Sequence, residues 1–87
     1  METKIIVGKK PPLRYVTACL TSFNRGSDKV ILRGRGQRIS TCVDVVNILK
    51  RGFLGEVKIE KIQIGTELIT IDDKQRPISF IEIVLSR

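Results

Sequence analysis

Two short basic stretches carry most of the chemistry open to this sequence. Lys9-Lys10 follows a β-branched run and precedes Pro11-Pro12, and Arg33-Gly34-Arg35-Gly36-Gln37-Arg38 follows a second such run. Arg presents a planar fork that grips phosphate through two bonds, and Lys presents a compact point charge. Gly34 and Gly36 let the backbone approach an anion closely. If the two runs are neighbouring parallel strands, both stretches leave the same edge of a sheet. They then meet at the N-termini of the helices that follow, where free N–H groups and the helix dipole favour anions. Lys9, Lys10, Arg33, Arg35 and Arg38, with Arg14 as a sixth, are the candidate nucleic-acid-binding residues of that edge. Such contacts grip the phosphate backbone and read no base sequence. Lys74 and Arg76 extend the set. They lie in a polar segment, Asp72 to Pro77, between two apolar runs, and a protruding basic hairpin can enter a minor groove.

Other chemistries find little support. The chain has no histidine, so the commonest general base is absent and no Ser-His or Cys-His arrangement can form. Asp72 and Asp73 are neighbours in a turn, where carboxylates are usually solvated. The glycine-arginine loop has neither GxGxxG spacing nor the GK[ST] of a Walker loop. No enzyme, cofactor or catalytic residue is expected. Cys19 and Cys42 form no CxxC pair and have no histidine beside them, so no metal site is expected. Both lie in apolar periodic segments and read as small buried hydrophobes in a reducing compartment, with a bridge between them left open. The aromatics Tyr15, Phe23, Phe53 and Phe80 are not interleaved with the basic residues, which argues against a platform that stacks unpaired bases.

The net charge of +7 is unevenly spread. Residues 1–51 hold 11 Lys/Arg against 3 acids, net +8, and residues 52–87 hold 5 against 6, net −1. A basic face, with a polyanion as partner, is the reading. No apolar run is long enough for a membrane span or a secretory signal, so an intracellular protein with no membrane partner is expected.

The elements that position the basic residues follow from periodicity. Lys4 to Val7 is a strand ended by Gly8, and Pro11-Pro12 opens a helix. Leu13, Val16, Leu20 and Phe23 form its apolar stripe, and Gly26 is its C-terminal cap. Lys29 to Leu32 is the second strand. The second helix begins at Ile39, capped by Ser40 or Thr41. Its apolar residues exceed one stripe: Ile39, Val43, Val46 and Phe53 share one face, and Cys42, Val45, Ile48 and Leu49 extend over another. A helix apolar on more than its core side needs a second partner. Val45, Ile48 and Leu49 are therefore the candidate dimer interface. Val57 to Ile59 and Ile62 to Ile64 alternate out of phase, which a bulge near Glu60-Lys61 reconciles. Leu68 to Ile71 continues this strand, and Ile78 to Leu85 is the last. The order β-α-β-α-β-β makes a two-layer α/β (α+β) fold, a four-stranded mixed sheet with both helices on one face. Residues 1–87 form one domain. A domain this small needs a staple, and a partner subunit is the one left.

These motifs, in this order, resemble the Alba family of small archaeal chromatin proteins over about Ile5 to Leu85. Ile6-Val7-Gly8-Lys9-Lys10-Pro11 with Tyr15-Val16 resembles the family's GKKP signature and first helix. Arg35-Gly36, Ile39-Ser40 and Val43-Asp44 resemble its arginine-glycine loop and second helix, and Arg51-Gly52-Phe53-Leu54 the end of that helix. Ile62-Gln63-Ile64-Gly65-Thr66 and Ile78 to Ile83 resemble its hairpin strands. Gln37 departs where the family often has a second Arg, as do Thr41 where a basic residue often follows Ile-Ser and the acidic tip Asp72-Asp73. The resemblance implies a dimer, homodimeric or paired with a paralogue, that binds duplex DNA, and also RNA, with little sequence preference. It implies Lys9 and Lys10 as central backbone contacts, Lys9 as a candidate for acetylation, Arg33 and Arg35 flanking the duplex, and a hairpin arm in the minor groove. Phe53 resembles a residue that joins dimers side by side. Chromosome condensation in a cytoplasmic nucleoid is the implied role. The alternatives are an RNA-binding subunit of a ribonucleoprotein and a subunit that binds an acidic protein.

Overall fold

A computed structural model describes residues 1–87. The elements are β1 (Glu2–Ile6), α1 (Pro12–Asn24), β2 (Lys29–Arg35), α2 (Arg38–Gly52), β3 (Lys58–Ile71) and β4 (Lys74–Ser86). They form one sheet of order β1-β2-β4-β3, with β1 and β2 parallel and the other pairs antiparallel. This is the expected β-α-β-α-β-β mixed sheet. The two helices pack on each other and on the sheet, α1 over β1 and β2, α2 over β2 and β4, and no helix reaches β3.

Local chemistry accounts for the boundaries. Pro12 sits in the first turn of α1, where its missing N–H costs nothing. Gly26 follows the helix with φ +101°, a backbone conformation that other residues adopt at a cost. The β3 register shifts between Ile59 and Lys61, where the out-of-phase alternation called for a bulge. The β3–β4 turn is only Asp72-Asp73, with φ of 51° and 62°, so the polar tip is shorter than Asp72 to Pro77. Two left-handed residues in a two-residue loop match the right-handed twist of the strands, and Asp tolerates that region.

The core lies between helices and sheet. Val16, Cys19 and Phe23 of α1 meet Val30 and Leu32 of β2, Ile81, Ile83 and Leu85 of β4, and Cys42, Val45, Val46 and Leu49 of α2. Two expectations need correction here. Leu13 is exposed, and Cys19 takes its place on the buried stripe. Val45 and Leu49 are wholly enclosed, at 0% exposure, so neither can meet another subunit. α1 and the sheet fill the face of α2 that seemed to need a second partner. Ile48 is half-buried against the same core, while Phe53 stays exposed.

The surface left uncovered is on β3 instead. Ile59, Ile62 and Ile64 pair with Leu85, Ile83 and Ile81, and directly paired residues share a face. The three β4 residues are buried under the helices. Their β3 partners point the same way with no helix above them, and Ile64 is 75% exposed.

Gly34 fixes how closely α2 sits on β2. A Cβ there would lie 2.6 Å from Cys42 Sγ and 2.7 Å from the Arg38 carbonyl oxygen. The backbone oxygen cannot move unless the start of α2 lifts. Gly34→Ala is expected to cost about 2 kcal/mol by overpacking and to lower Tm by roughly 10 °C. A thermal melt unchanged from the parent would contradict this seating.

Candidate nucleic-acid interface

The parallel β1–β2 pair brings the two basic loops together. Ile6 lies opposite Arg33, and the Val7 N–H donates to the Arg33 carbonyl at 2.8 Å. Both strands therefore end at one edge, and α1 and α2 begin there. Neither helix has a side-chain N-cap or an acid in its first turn. Gln37 is the residue before α2, which starts at Arg38, and Ser40 and Thr41 do not cap it. Ser40 instead donates to the Gln37 carbonyl at 3.4 Å. The Arg14 N–H donates to the Pro11 carbonyl at 3.0 Å and the Ile39 N–H to the Gly36 carbonyl at 3.1 Å, and Pro12 has no N–H, which leaves the N–H groups of Leu13 and Arg38 to meet an anion.

Lys9, Arg33, Arg35 and Arg38 line one concavity of about 360 Å³ between the loops. Lys10 and Arg14 are exposed on the neighbouring β1–α1 segment but do not line it. Gly36 has φ +56°, which allows the tight turn between Arg35 and Arg38.

Tyr15 sets the shape of the lysine loop, a role that the sequence alone did not suggest. Its hydroxyl oxygen accepts the Gly8 N–H at 2.8 Å and the Lys10 N–H at 3.3 Å. The phenol thereby ties both sides of Lys9 to the first turns of α1. Tyr15→Phe removes the acceptor and keeps the ring. With two loop donors left unpaired by the protein, duplex affinity is expected to fall about fivefold. Equal binding by the phenylalanine variant in fluorescence anisotropy would show that the loop needs no such anchor.

Arg33 departs from the expected free cation. Its guanidinium is bonded to Glu82 on β4 and Glu67 on β3 and lies 4.4 Å from the centroid of the Phe80 ring. Lys4 on β1 approaches the same Glu82 at 3.8 Å. Strand alternation explains this. Leu32 and Gly34 face the helices, so Arg33 faces the open side of the sheet, where Glu82 is its direct cross-strand partner. With two carboxylates beside it, Arg33 cross-links the strands and adds little net charge to the edge. Period-two alternation in both strands was the signal that could have paired these residues.

The hairpin arm starts from the same edge. β2 ends where Arg35 pairs with Phe80, while β3 and β4 remain paired from Gly65 and Phe80 out to Ile71 and Lys74. At a rise near 3.4 Å per residue, the free arm is about 20 Å long. Lys74 and Arg76 lie on its exposed outer part, and the Arg33–Glu67 bond holds its base. The loop cations and the arm cations are thus separate clusters on one edge of the sheet.

Cys19 and Cys42 are buried free thiols. Burial pushes the Cys19 thiol up to about 12 and the Cys42 thiol up to about 11. Both are therefore neutral packing groups at ordinary pH, since the thiolate is the reactive form.

Comparison with known proteins identifies the family. The Alba family model matches residues 3–66. The chain is 42% identical over 86 residues to DNA/RNA-binding protein Alba of Thermoplasma volcanium, covering 99% of this chain and 97% of that protein. It is 41% identical over 86 residues to DNA/RNA-binding protein Alba 1 of Archaeoglobus fulgidus, with the same coverage. The solved structure of Alba from Thermoplasma volcanium superposes with a TM-score of 0.93 at 41% identity, covering 98% of this chain and 100% of that one. A structure of Alba1 from Trypanosoma brucei shares the fold at a TM-score of 0.81 and 23% identity, covering 98% of this chain and 68% of that one. On sequence, extent and architecture together, this chain belongs to the Alba family.

Proposed function

We propose that this protein is an architectural nucleic-acid-binding protein that grips duplex DNA through the phosphate backbone, as a dimer and without sequence preference. The observation that carries this reading is the convergence of Lys9, Arg35 and Arg38, with Lys10 and Arg14 beside them, at two uncapped helix N-termini. Relatives more than 40% identical are named DNA/RNA-binding proteins. Free N–H groups, guanidinium forks and lysines all suit phosphate oxygens. The arm carries Lys74 and Arg76 outward along the duplex, where the minor groove is the surface a narrow two-stranded ribbon can enter.

Dimerisation rests on the bare β3 face, Ile59, Ile62 and Ile64, with Phe53 the exposed apolar residue at the end of α2. A second copy, or a paralogue with the same face, would cover it and bring a second basic edge to the same duplex. Lys9 is the proposed acetylation site: acetylation removes its charge from the basic concavity and weakens the grip. Binding to the chromosome, within the cytoplasm of a cell without a nucleus, follows from this reading.

The relatives' names include RNA, which supports the second reading, a subunit directed to RNA. Competition between matched short DNA and RNA duplexes of several sequences tests the choice. Architectural DNA binding predicts equal affinity across DNA sequences and no strong preference for RNA. Displacement by RNA alone at low concentration would move the protein to the second reading.

A further inference from the structure

We infer that the concavity between the two basic loops is a pocket for one unpaired nucleotide. Its phosphate lies on Lys9, Arg35 and Arg38, and its base lies against Ile6 and Ile78. The inference rests on the nucleic-acid reading above and adds a ligand that duplex binding does not require. Phosphates of a duplex stand on the outside of a rod and are reached by extended cationic side chains. They need no hollow. This hollow holds about 360 Å³, the lower end of the range of small-ligand pockets and more than a phosphate group alone would fill.

Its walls point the same way. Ile6 and Ile78 line it together with the cations. Ile6 is 63% exposed, a large apolar side chain that neither the core nor phosphate chemistry uses. An apolar wall with a few convergent charged groups is the make-up of a small-ligand site rather than a phosphate rail. Of the aromatics nearby, Tyr15 has its hydroxyl on the Gly8 and Lys10 N–H groups and Phe80 has the Arg33 guanidinium over its ring. Arg33 itself is held by Glu67 and Glu82, so it forms a fixed wall. Base contact therefore falls to the two isoleucines, with Arg35 and Arg38 taken by the phosphate. Such contacts use the faces of a base and not its edges, so the pocket accepts any of the four bases. The nucleotide can come from a bulge or a frayed end of a strand, or from a free mononucleotide.

The experiment compares three short RNA duplexes by fluorescence anisotropy: a perfect one, one with a single bulged adenosine, and one with an abasic bulge. The bulged adenosine is expected to bind about tenfold tighter than the other two, near the lower end of what one base stacked on an aromatic ring contributes, since isoleucine offers no π face. The abasic bulge carries the same flexibility and bend without the base. In Ile6→Ser and Ile78→Ser, the ratio between bulged and perfect duplex is expected to fall toward one. Free adenosine monophosphate that erases the tenfold advantage would support the pocket with a mononucleotide as occupant. Its failure to compete, with the ratio still sensitive to Ile6→Ser, would support a strand-borne nucleotide. Salt-steep binding that is equal for all three duplexes would overturn the pocket and leave the duplex reading intact. No binding to any of them would overturn the pocket, and no binding to a perfect DNA duplex as well would overturn the duplex reading.

Discussion

Replacing Lys9 and Lys10 together by alanine is expected to weaken duplex binding by about a hundredfold for each protomer engaged, on every sequence tested. The two lysines sit in the loop that Tyr15 anchors, at the mouth of the first uncapped helix. A charge-assisted contact is worth about 1.5 kcal/mol or more, and 1.4 kcal/mol corresponds to a factor of ten. Each phosphate contact also contributes about 0.9 to the slope of log affinity against log salt. The double variant should therefore lose roughly two units of slope for each protomer engaged. Both side chains are outside the core, so the thermal melt should stay close to that of the parent. An unchanged slope would remove the lysine loop from the binding surface, whatever happened to the affinity.

Ile64→Asp is expected to convert a dimer into a folded monomer. Ile64 is the most exposed residue of the bare β3 face, and no element of its own chain covers it. In a two-fold interface each substitution acts twice, so two unpaired carboxylates would be buried in place of two isoleucines. Burial of one such apolar side chain is worth about 1.5–3 kcal/mol, and a buried unpaired charge costs several more. Association should weaken by several orders of magnitude. Sedimentation at micromolar concentration should then report the single 9.8 kDa chain for the variant and twice that for the parent. The far-UV spectrum should be retained, because residue 64 contributes nothing to the monomer core. A parent that sediments as a monomer would contradict the proposed interface outright.

The fold was largely legible in the sequence because local signals agreed with one another. Proline at the start of α1, glycine after its end and the out-of-phase alternation of β3 each state a backbone requirement that tertiary packing then met. The meeting of the two basic loops was legible too, since it follows from the parallel pairing of β1 and β2. What was not legible depended on which side of an element faces what. The α2 sequence is apolar around much of its circumference, and periodicity cannot say which residues its own domain encloses. Val45 and Leu49 went inside, and the bare surface fell on β3, the strand beyond the reach of both helices. Arg33 looked equivalent to Arg35 in a run of alternating arginine and glycine. Only the register of β2 against β4, and of β4 against β3, reveals that Arg33 meets two carboxylates. Tyr15 carries no sequence signal for its role, because its acceptor function arises from the loop folding back over α1.

Salt dependence is the most direct test of a phosphate-backbone grip. Affinity of the unaltered protein for a short DNA duplex of arbitrary sequence should fall linearly in log–log form as salt rises. Lys9, Lys10, Arg35 and Arg38 alone predict a slope of about −3.5 for one protomer, steeper where Arg14, Lys74 and Arg76 also reach phosphates, and roughly twice as steep if both protomers of a dimer engage. Two unrelated sequences should give the same line. A slope shallower than about −1, or affinity that depends strongly on sequence at every salt concentration, would contradict binding through the backbone.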